Sequence, residues 1–80
     1  MFGFFTYPNE LATALRGRGY QNGDMPITRE WIGLIHEFRK AGYSPERAAS
    51  IIDAAFSREP DGLGEAVAIG GAYALEVFRP

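Results

Sequence analysis

The sequence contains no cysteine, so it can form neither disulfide bonds nor metal sites with thiolate ligands. Histidine is almost absent as well, since His36 is the only one. No Ser-His-Asp set, carboxylate dyad or metal-ligand cluster can be assembled from the remaining residues at a spacing typical of catalysis. The sequence therefore predicts a protein that is not an enzyme and that uses no cofactor or metal ion.

Long apolar segments are also absent. The longest uncharged run at the N-terminus is MFGFFTYPN, which is too short to span a bilayer and lacks the basic start of a signal peptide. The absence of cysteine fits a reducing compartment. We therefore expect a cytoplasmic protein without a membrane partner.

Basic residues are few in the second half of the chain. Residues 1–45 carry five basic and four acidic side chains, a balance of +1, whereas residues 46–78 carry two basic and six acidic side chains, a balance of −4. A surface that binds phosphates needs clustered Lys or Arg to displace counterions. The charge pattern thus predicts no direct binding of nucleic acid by the second half. An ordinary solvated surface explains the same pattern.

Apolar residues, in contrast, are plentiful enough for one core. The chain has 80 residues, of which 46% are hydrophobic and 14% are aromatic, and this predicts a single domain over residues 1–80. A chain of this length buries only about 60 to 65% of its unfolded surface. Its stability is therefore expected to be marginal.

Three helices are predicted from capping and terminating residues. Asn9 is a capping residue for the first, which the glycines of RGRG at residues 16–19 end. Thr28 caps the second, and Gly42 ends it. Ser44, followed directly by proline, caps the third, which must stop before residue 60 because that residue is also proline.

The C-terminal stretch GEAVAIGGAYALEVF, residues 64–78, is predicted to be a β-hairpin. A helix through Gly70 and Gly71 would lose roughly 2 kcal/mol relative to alanine, whereas a tight turn uses the positive φ that glycine allows. A three-residue loop at 70–72 gathers Val67, Tyr73 and Leu75 on one face of strands 65–69 and 73–77. A phosphate-binding loop of the dinucleotide type needs the motif G-x-G-x-x-G. Gly62 and Gly64 match its first two glycines, but Val67 occupies the third position, which excludes this loop.

The N-terminal FGFFTY, residues 2–7, is the only other candidate strand. Pairing it with the hairpin predicts an α+β fold, a three-stranded antiparallel sheet with three α-helices in the order β-α-α-α-β-β. This strand is apolar on both faces, so either the first helix or the second subunit of a homodimer must cover the outer one. The predicted core comprises Phe5, Trp31, Leu34, Phe38, Ile52, Phe56, Val67 and Leu75.

The segment FRKAGYSPERAASIIDA, residues 38–54, resembles the helix-turn-helix of lambda-type and lac-type repressors, which carry similar A-G-x-S strings. The resemblance implies a DNA-binding regulator that uses Arg39, Lys40 and Arg47 against phosphates. Two features depart from that pattern. Phe38 stands where a small residue is usual, and the exposed side of the second helix has a neutral to acidic composition. A helical hairpin without DNA binding is the other interpretation.

The predicted element order, the small size and the lack of cysteine resemble the phage-encoded anti-CRISPR proteins, including those directed against type I systems. The resemblance implies a non-enzymatic inhibitor in the cytoplasm of the host cell, which binds the type I surveillance (Cascade) complex and blocks entry of target DNA. Acidic residues that imitate phosphates would then contact the basic subunits, and the available ones are Glu46, Asp53, Glu59, Asp61 and Glu65. We take this as the preferred function, with the helix-turn-helix regulator as the alternative.

Overall fold

The computed structural model describes residues 6–25 and 27–80, and every regular element in these two ranges is helical. The elements are α1 (Thr6–Gly17), a 3₁₀ turn (Asn22–Asp24), α2 (Arg29–Lys40), α3 (Pro45–Phe56), α4 (Pro60–Gly70) and α5 (Ala72–Val77). Because no strand occurs in the described ranges, the predicted α+β fold with a three-stranded sheet is wrong. Over these two ranges the fold is a bundle of five short helices.

The second and third helices agree with the sequence prediction. The Thr28 hydroxyl accepts a hydrogen bond from the backbone N–H of Trp31 at 3.1 Å, and the Ser44 hydroxyl accepts one from Arg47 at the same distance. Gly42 in the turn between them has a φ of +87°, which L-residues rarely adopt. The caps and the glycine stop therefore define α2 and α3, as predicted.

The first helix begins earlier than predicted. α1 starts at Thr6, so Asn9 lies inside the helix and does not cap it, while the predicted end at Gly17 is confirmed. Thr6 and Tyr7, the last two residues of the predicted N-terminal strand, are helical. The rest of that strand, residues 2–5, lies outside the described residues. The homodimer was expected because this strand would be apolar on both faces, and that reason no longer applies. The described residues do not test the homodimer, which stays a prediction.

The predicted C-terminal hairpin is wrong because it is a pair of helices, α4 and α5. Along α4 the small residues Gly62, Ala66 and Gly70 recur every four positions and are all buried. A Cβ atom at Gly62 would lie 2.4 Å from the Cβ of Ala54 on α3, and one at Gly70 would lie 2.3 Å from a methyl group of Leu34 on α2. Close packing against α2 and α3 offsets the low helix propensity of these glycines.

The most extensive contact of the bundle is between α3 and α4. α3 also packs against α1, while α2 packs against α4 and α5. An aromatic cluster closes the end of the bundle where α3 ends, with ring centroids 6.3 Å apart for Trp31 and Phe56 and 4.9 Å apart for Phe56 and Phe78. At the other end of α3, the Tyr7 hydroxyl donates a hydrogen bond to the carbonyl of Tyr43 at 2.8 Å.

Most of the predicted core residues are confirmed. Those that are buried are Trp31, Leu34, Phe38 and Ile52, and those that are half-buried against the core are Phe56 and Val67. Leu75 was predicted wrongly, since 63% of its surface is exposed. The error follows from the prediction of a strand, in which residues 73, 75 and 77 share one face. In a helix, residue 75 lies on a different side from residues 73 and 77. Phe5 lies outside the described residues.

Candidate interaction surface

Two of the predicted site residues, Glu59 and Asp61, lie at the N-terminus of α4. Glu59 occupies the capping position, but its side chain makes no capping hydrogen bond. Both residues are exposed, and neither makes an ion pair with another residue in the ranges 6–25 and 27–80. The helix dipole stabilises negative charge at this position. The two carboxylates therefore remain accessible to a partner.

Glu65 lies one turn further along the same edge of α4. Its carboxylate is 3.3 Å from the guanidinium of Arg47 on α3, and about half of each side chain is exposed. An exposed pair of this kind contributes at most about 1 kcal/mol to folding. Glu65 can therefore exchange Arg47 for a partner's cation at little cost.

Asp53, in contrast, is occupied within the fold. Its carboxylate accepts hydrogen bonds from Arg18 and from the Tyr20 hydroxyl, both at 2.9 Å. Burial raises the pKa of Tyr20 to about 12, and the hydrogen bond to Asp53 and the charge of that carboxylate act in the same direction. Asp53 thus holds the segment after α1 against α3.

Glu46 lies apart from the other acidic residues, at the start of α3. It borders an open groove of about 410 Å³ between α1 and α3, whose lining also includes Glu10. The five predicted site residues therefore do not form one surface. Glu59, Asp61 and Glu65 share the first two turns of α4, whereas Glu46 and Asp53 lie along α3 and only Asp53 has an evident structural role.

The outer side of α4 is small and partly charged. Gly64 and Ala68 are exposed there together with Asp61 and Glu65, and Leu63 and Val67 are half-buried beside them. No charged residue occurs between Glu65 and Glu76. Within the described part of the chain, α4 packs against α2, α3 and α5 and leaves this outer strip exposed.

Leu75 on α5 is the large apolar side chain that this pair of helices leaves most exposed, at 63%. Tyr73 lies against α2, since a Cβ at Gly33 would be only 2.5 Å from its ring. Residues two apart on a helix are separated by about 200°, so Leu75 lies on the flank of α5 away from α2. We define the outer face of α4–α5 by its exposed and half-buried residues, which are Asp61, Leu63, Gly64, Glu65, Val67 and Ala68 of α4 together with Leu75 of α5.

Sequence reasoning missed this surface because residues 64–78 were interpreted as two strands. A signal for the helix was nevertheless present. Pro60 is at the first helical position, and Gly62, Ala66 and Gly70 follow at the four-residue spacing of a helix that packs closely against a neighbour.

The remaining cavity near a titratable group is small. His36 is half-buried and borders a cavity of about 60 Å³ between the start of α1 and α2, with Tyr7, Ile32 and Ile35 among its other lining residues. Pockets for small-molecule substrates are usually about 300 to 1,000 Å³. The described residues also contain no group of three side chains able to hold a metal ion. This region therefore supplies no argument for catalysis.

Helix α3 buries six of its twelve residues and packs against α1 and α4. Glu46 and Arg47 are exposed on it, and Ser50 and Asp53 are half-buried. The helix thus presents both an acidic and a basic side chain near its N-terminus.

No protein-family model, curated protein or solved structure matches this chain significantly. None of the helices in residues 6–25 and 27–80 has both the length and the apolar character needed to cross a membrane.

Proposed function

We propose that this domain acts by binding another protein, and not by catalysis, through the outer face of α4–α5. The observation that carries the proposal is the exposed strip of α4, on which the small residues Gly64 and Ala68 lie beside the carboxylates of Asp61 and Glu65. Half-exposed aliphatic side chains and the 63%-exposed Leu75 leave apolar area in water that a partner would remove. Burial of such area contributes about 25 cal/mol per Å² to association before the cost of ordering is subtracted.

The arrangement also matches the usual anatomy of a binding patch. Small and aliphatic residues lie beside charged groups, here Asp61 and Glu65 on the same strip of α4. The acidic border favours a basic partner through faster association. This combination supports an interaction surface better than it supports an ordinary solvated helix.

A type I surveillance complex remains the specific target that we propose, together with action in the cytoplasm of a host cell. The element order on which the resemblance to anti-CRISPR proteins depended is not the one found, so the support for this target now comes from Glu59, Asp61 and Glu65. Asp61 and Glu65 share one edge of α4 and Glu59 precedes the helix at its capping position, so all three carboxylates are available to a basic subunit.

The test is a pull-down on a purified type I surveillance complex. We expect Glu59→Gln combined with Asp61→Asn to weaken binding several-fold, and Leu75→Gln to weaken it further. Glu10→Gln and Ile27→Gln are matched controls, because Glu10 lies on α1 and Ile27 is 90% exposed before α2. Equal binding by all variants would show that the outer face is not the contact surface.

The helix-turn-helix regulator is tested by titration of duplex DNA at low salt. A regulator must bind duplex DNA with an affinity that falls steeply as salt rises. We expect no binding, since residues 46–78 carry a balance of −4 and the side of α3 with Arg47 also carries Glu46. Sequence-selective binding that is lost in Arg47→Gln would replace our proposal with the regulator.

A further inference from the structure

We infer that a surface on α2 binds a protein segment in which one aliphatic side chain is flanked by Asp or Glu. The aliphatic side chain enters the cavity of about 60 Å³ between α1 and α2, and the acidic side chains lie beside the cations of α2. This surface shares no residue with the outer face of α4–α5. The inference therefore goes beyond the proposed function.

The cavity suits the end of one aliphatic side chain. Its wall is mostly apolar and includes Tyr7, Pro8, Ile32 and Ile35. A water-sized group needs about 10 to 15 Å³, so a cavity of about 60 Å³ accepts roughly the four carbon atoms of a leucine side chain. A small-molecule substrate would need several times this volume.

Ile32 exposes apolar area at the same place. It lines the cavity, yet 57% of its surface is exposed. An aliphatic side chain that enters the cavity would contact Ile32 and remove part of this area from water. Removal of apolar area from water favours association. The cavity and Ile32 together therefore form the apolar part of the proposed contact.

The cations of α2 lie on the same side of the helix as Ile32. At 3.6 residues per turn, about 100° of the helix circumference contains Arg29, Ile32, His36, Arg39 and Lys40. Arg29 makes no ion pair with another residue in the ranges 6–25 and 27–80, and Lys40 has an exposed contact of 3.5 Å with Glu37. We define these five residues as the basic surface of α2.

The spacing of the cations indicates where the partner carries its acidic residues. Arg29 and Lys40 are 11 positions apart, which corresponds to about 16 Å along the helix. The cavity lies between them, since Ile35 and His36 line it. A segment with a central aliphatic residue thus brings acidic side chains on both sides near a cation, and complementary charge favours such a partner. A nucleic acid would match the cations but has no aliphatic side chain for the cavity.

The experiment is an NMR titration of the ¹⁵N-labelled full chain with a synthetic 11-residue peptide. The peptide has a central leucine and glutamates two and three positions away on either side. Two matched peptides carry glutamine in place of the leucine, or lysines in place of the glutamates. We expect saturable shifts centred on the amides of Ile32, Ile35 and His36, and about tenfold weaker binding of both matched peptides. Equal affinity for the lysine peptide, or shifts centred on another surface, would overturn the inference.

Variants of the domain separate the apolar contribution from the charged one. Ile32→Gln should weaken binding of the glutamate–leucine peptide at least threefold, whereas Ile32→Leu, which keeps the aliphatic volume, should not. Arg29→Gln with Lys40→Gln should weaken binding at least threefold and reduce its salt dependence. The matched control is Arg47→Gln with Arg79→Gln, which removes two exposed cations elsewhere and should leave binding unchanged. Equal affinity of all four variants would contradict the assigned surface.

Other occupants of the basic surface of α2 are outcomes of the same measurements. Tighter binding of duplex DNA or of phosphatidylserine vesicles at these amides would overturn the inference. So would sedimentation as a dimer that Ile32→Gln dissociates, or nuclear Overhauser contacts that place residues 1–5 of the same chain in the cavity. The pull-down with the Glu59 and Asp61 variants does not involve this surface, so failure of the proposed function is distinguishable from failure of the inference.

Discussion

The pair α2–α3 and the pair α4–α5 are both two helices joined by a short turn that contains glycine, yet they are stabilised by different means. In α2–α3 the helices are capped by hydroxyl side chains, and large residues such as Trp31, Phe38 and Ile52 fill the space between elements. In α4–α5 the buried positions are Gly62, Ala66, Gly70 and Ala74, and neither helix has a side-chain cap. The first pair depends on side-chain volume, and the second depends on close backbone approach.

This difference has a consequence at the surface. Because α4 places its smallest residues inward, its aliphatic residues Leu63 and Val67 lie on its flank and remain half-exposed. α2 instead directs Trp31, Leu34 and Phe38 inward. Each pair nevertheless leaves a large aliphatic side chain exposed, Ile32 on α2 and Leu75 on α5.

The largest expected effect on stability concerns α2–α3, the pair that is stabilised by side-chain volume. Phe38 is fully buried, so Phe38→Ala should reduce the free energy of unfolding by about 3 to 5 kcal/mol, which is enough to unfold a domain of this size. Leu75→Ala, which removes an exposed side chain, should change it by less than about 0.5 kcal/mol. Urea denaturation followed by circular dichroism measures both. Similar values for the two variants would contradict the assignment of inner and outer faces.

The next effect tests close approach in α4. Alanine is the better helix former by about 1 kcal/mol, yet Gly62→Ala should destabilise the domain by about 1 to 3 kcal/mol because the new methyl group meets Ala54 and the backbone of Ala55. Gly64→Ala is the matched control in the same helix. Its methyl group enters open space, so it should stabilise the domain by up to about 1 kcal/mol. Thermal melts of the two variants should therefore shift in opposite directions, and a shift in the same direction would count against the helical packing.

A somewhat smaller effect is expected at the turn between α4 and α5. Gly71 has φ +56° and ψ −129°, a combination available essentially to glycine alone. Gly71→Ala should cost about 1 to 2 kcal/mol although a Cβ there meets no atom within 4 Å. Gly17→Ala, at the end of α1, has equal space without a positive φ and should cost nothing. If both substitutions were neutral in urea denaturation, the turn would not have the described geometry.

The smallest effect concerns the polar link between α3 and the segment after α1. Tyr20→Phe removes the hydrogen bond to Asp53 and should cost about 1 kcal/mol at pH 7. Tyr73→Phe removes a hydroxyl from a residue that is 39% exposed and should leave the free energy of unfolding unchanged. Both values come from urea titrations at a fixed pH.

The partly buried hydroxyls of Tyr7 and Tyr20 predict how the stability of the domain depends on pH. Burial raises the pKa of Tyr7 and of Tyr20 to about 12, from an ordinary value near 10. The folded state therefore holds these protons more tightly than the unfolded state, so their contribution is complete below pH 10 and is lost as the pH rises from 10 to 12. Tyr20→Phe should reduce this alkaline loss. An unchanged pH profile would contradict the link.

Sequence reasoning succeeded where local signals and tertiary packing agree. The caps Thr28 and Ser44, the stop at Gly42 and the apolar stripe of α2 each indicate the same helices, and the structure has them. Of the candidate site, the acidic residues of α4 were named in advance, but the outer face to which they belong was not. That face exists only if residues 60–77 are helical, and glycine propensity argued against a helix there.

The sequence by itself determined the single apolar core, α2 and α3 with their caps, the turn at Gly42 and the absence of thiol chemistry, because each of these follows from local hydrogen bonding, from hydrophobic spacing or from composition. Only the tertiary structure decided between helices and strands for residues 60–77. The low helix propensity of glycine is a local effect that costs about 1 kcal/mol per residue. The close contacts of Gly62 with Ala54 and of Gly70 with Leu34 form only when α3 and α2 are in place. The packing of neighbouring helices thus outweighed the local preference and left Leu75 outside the core.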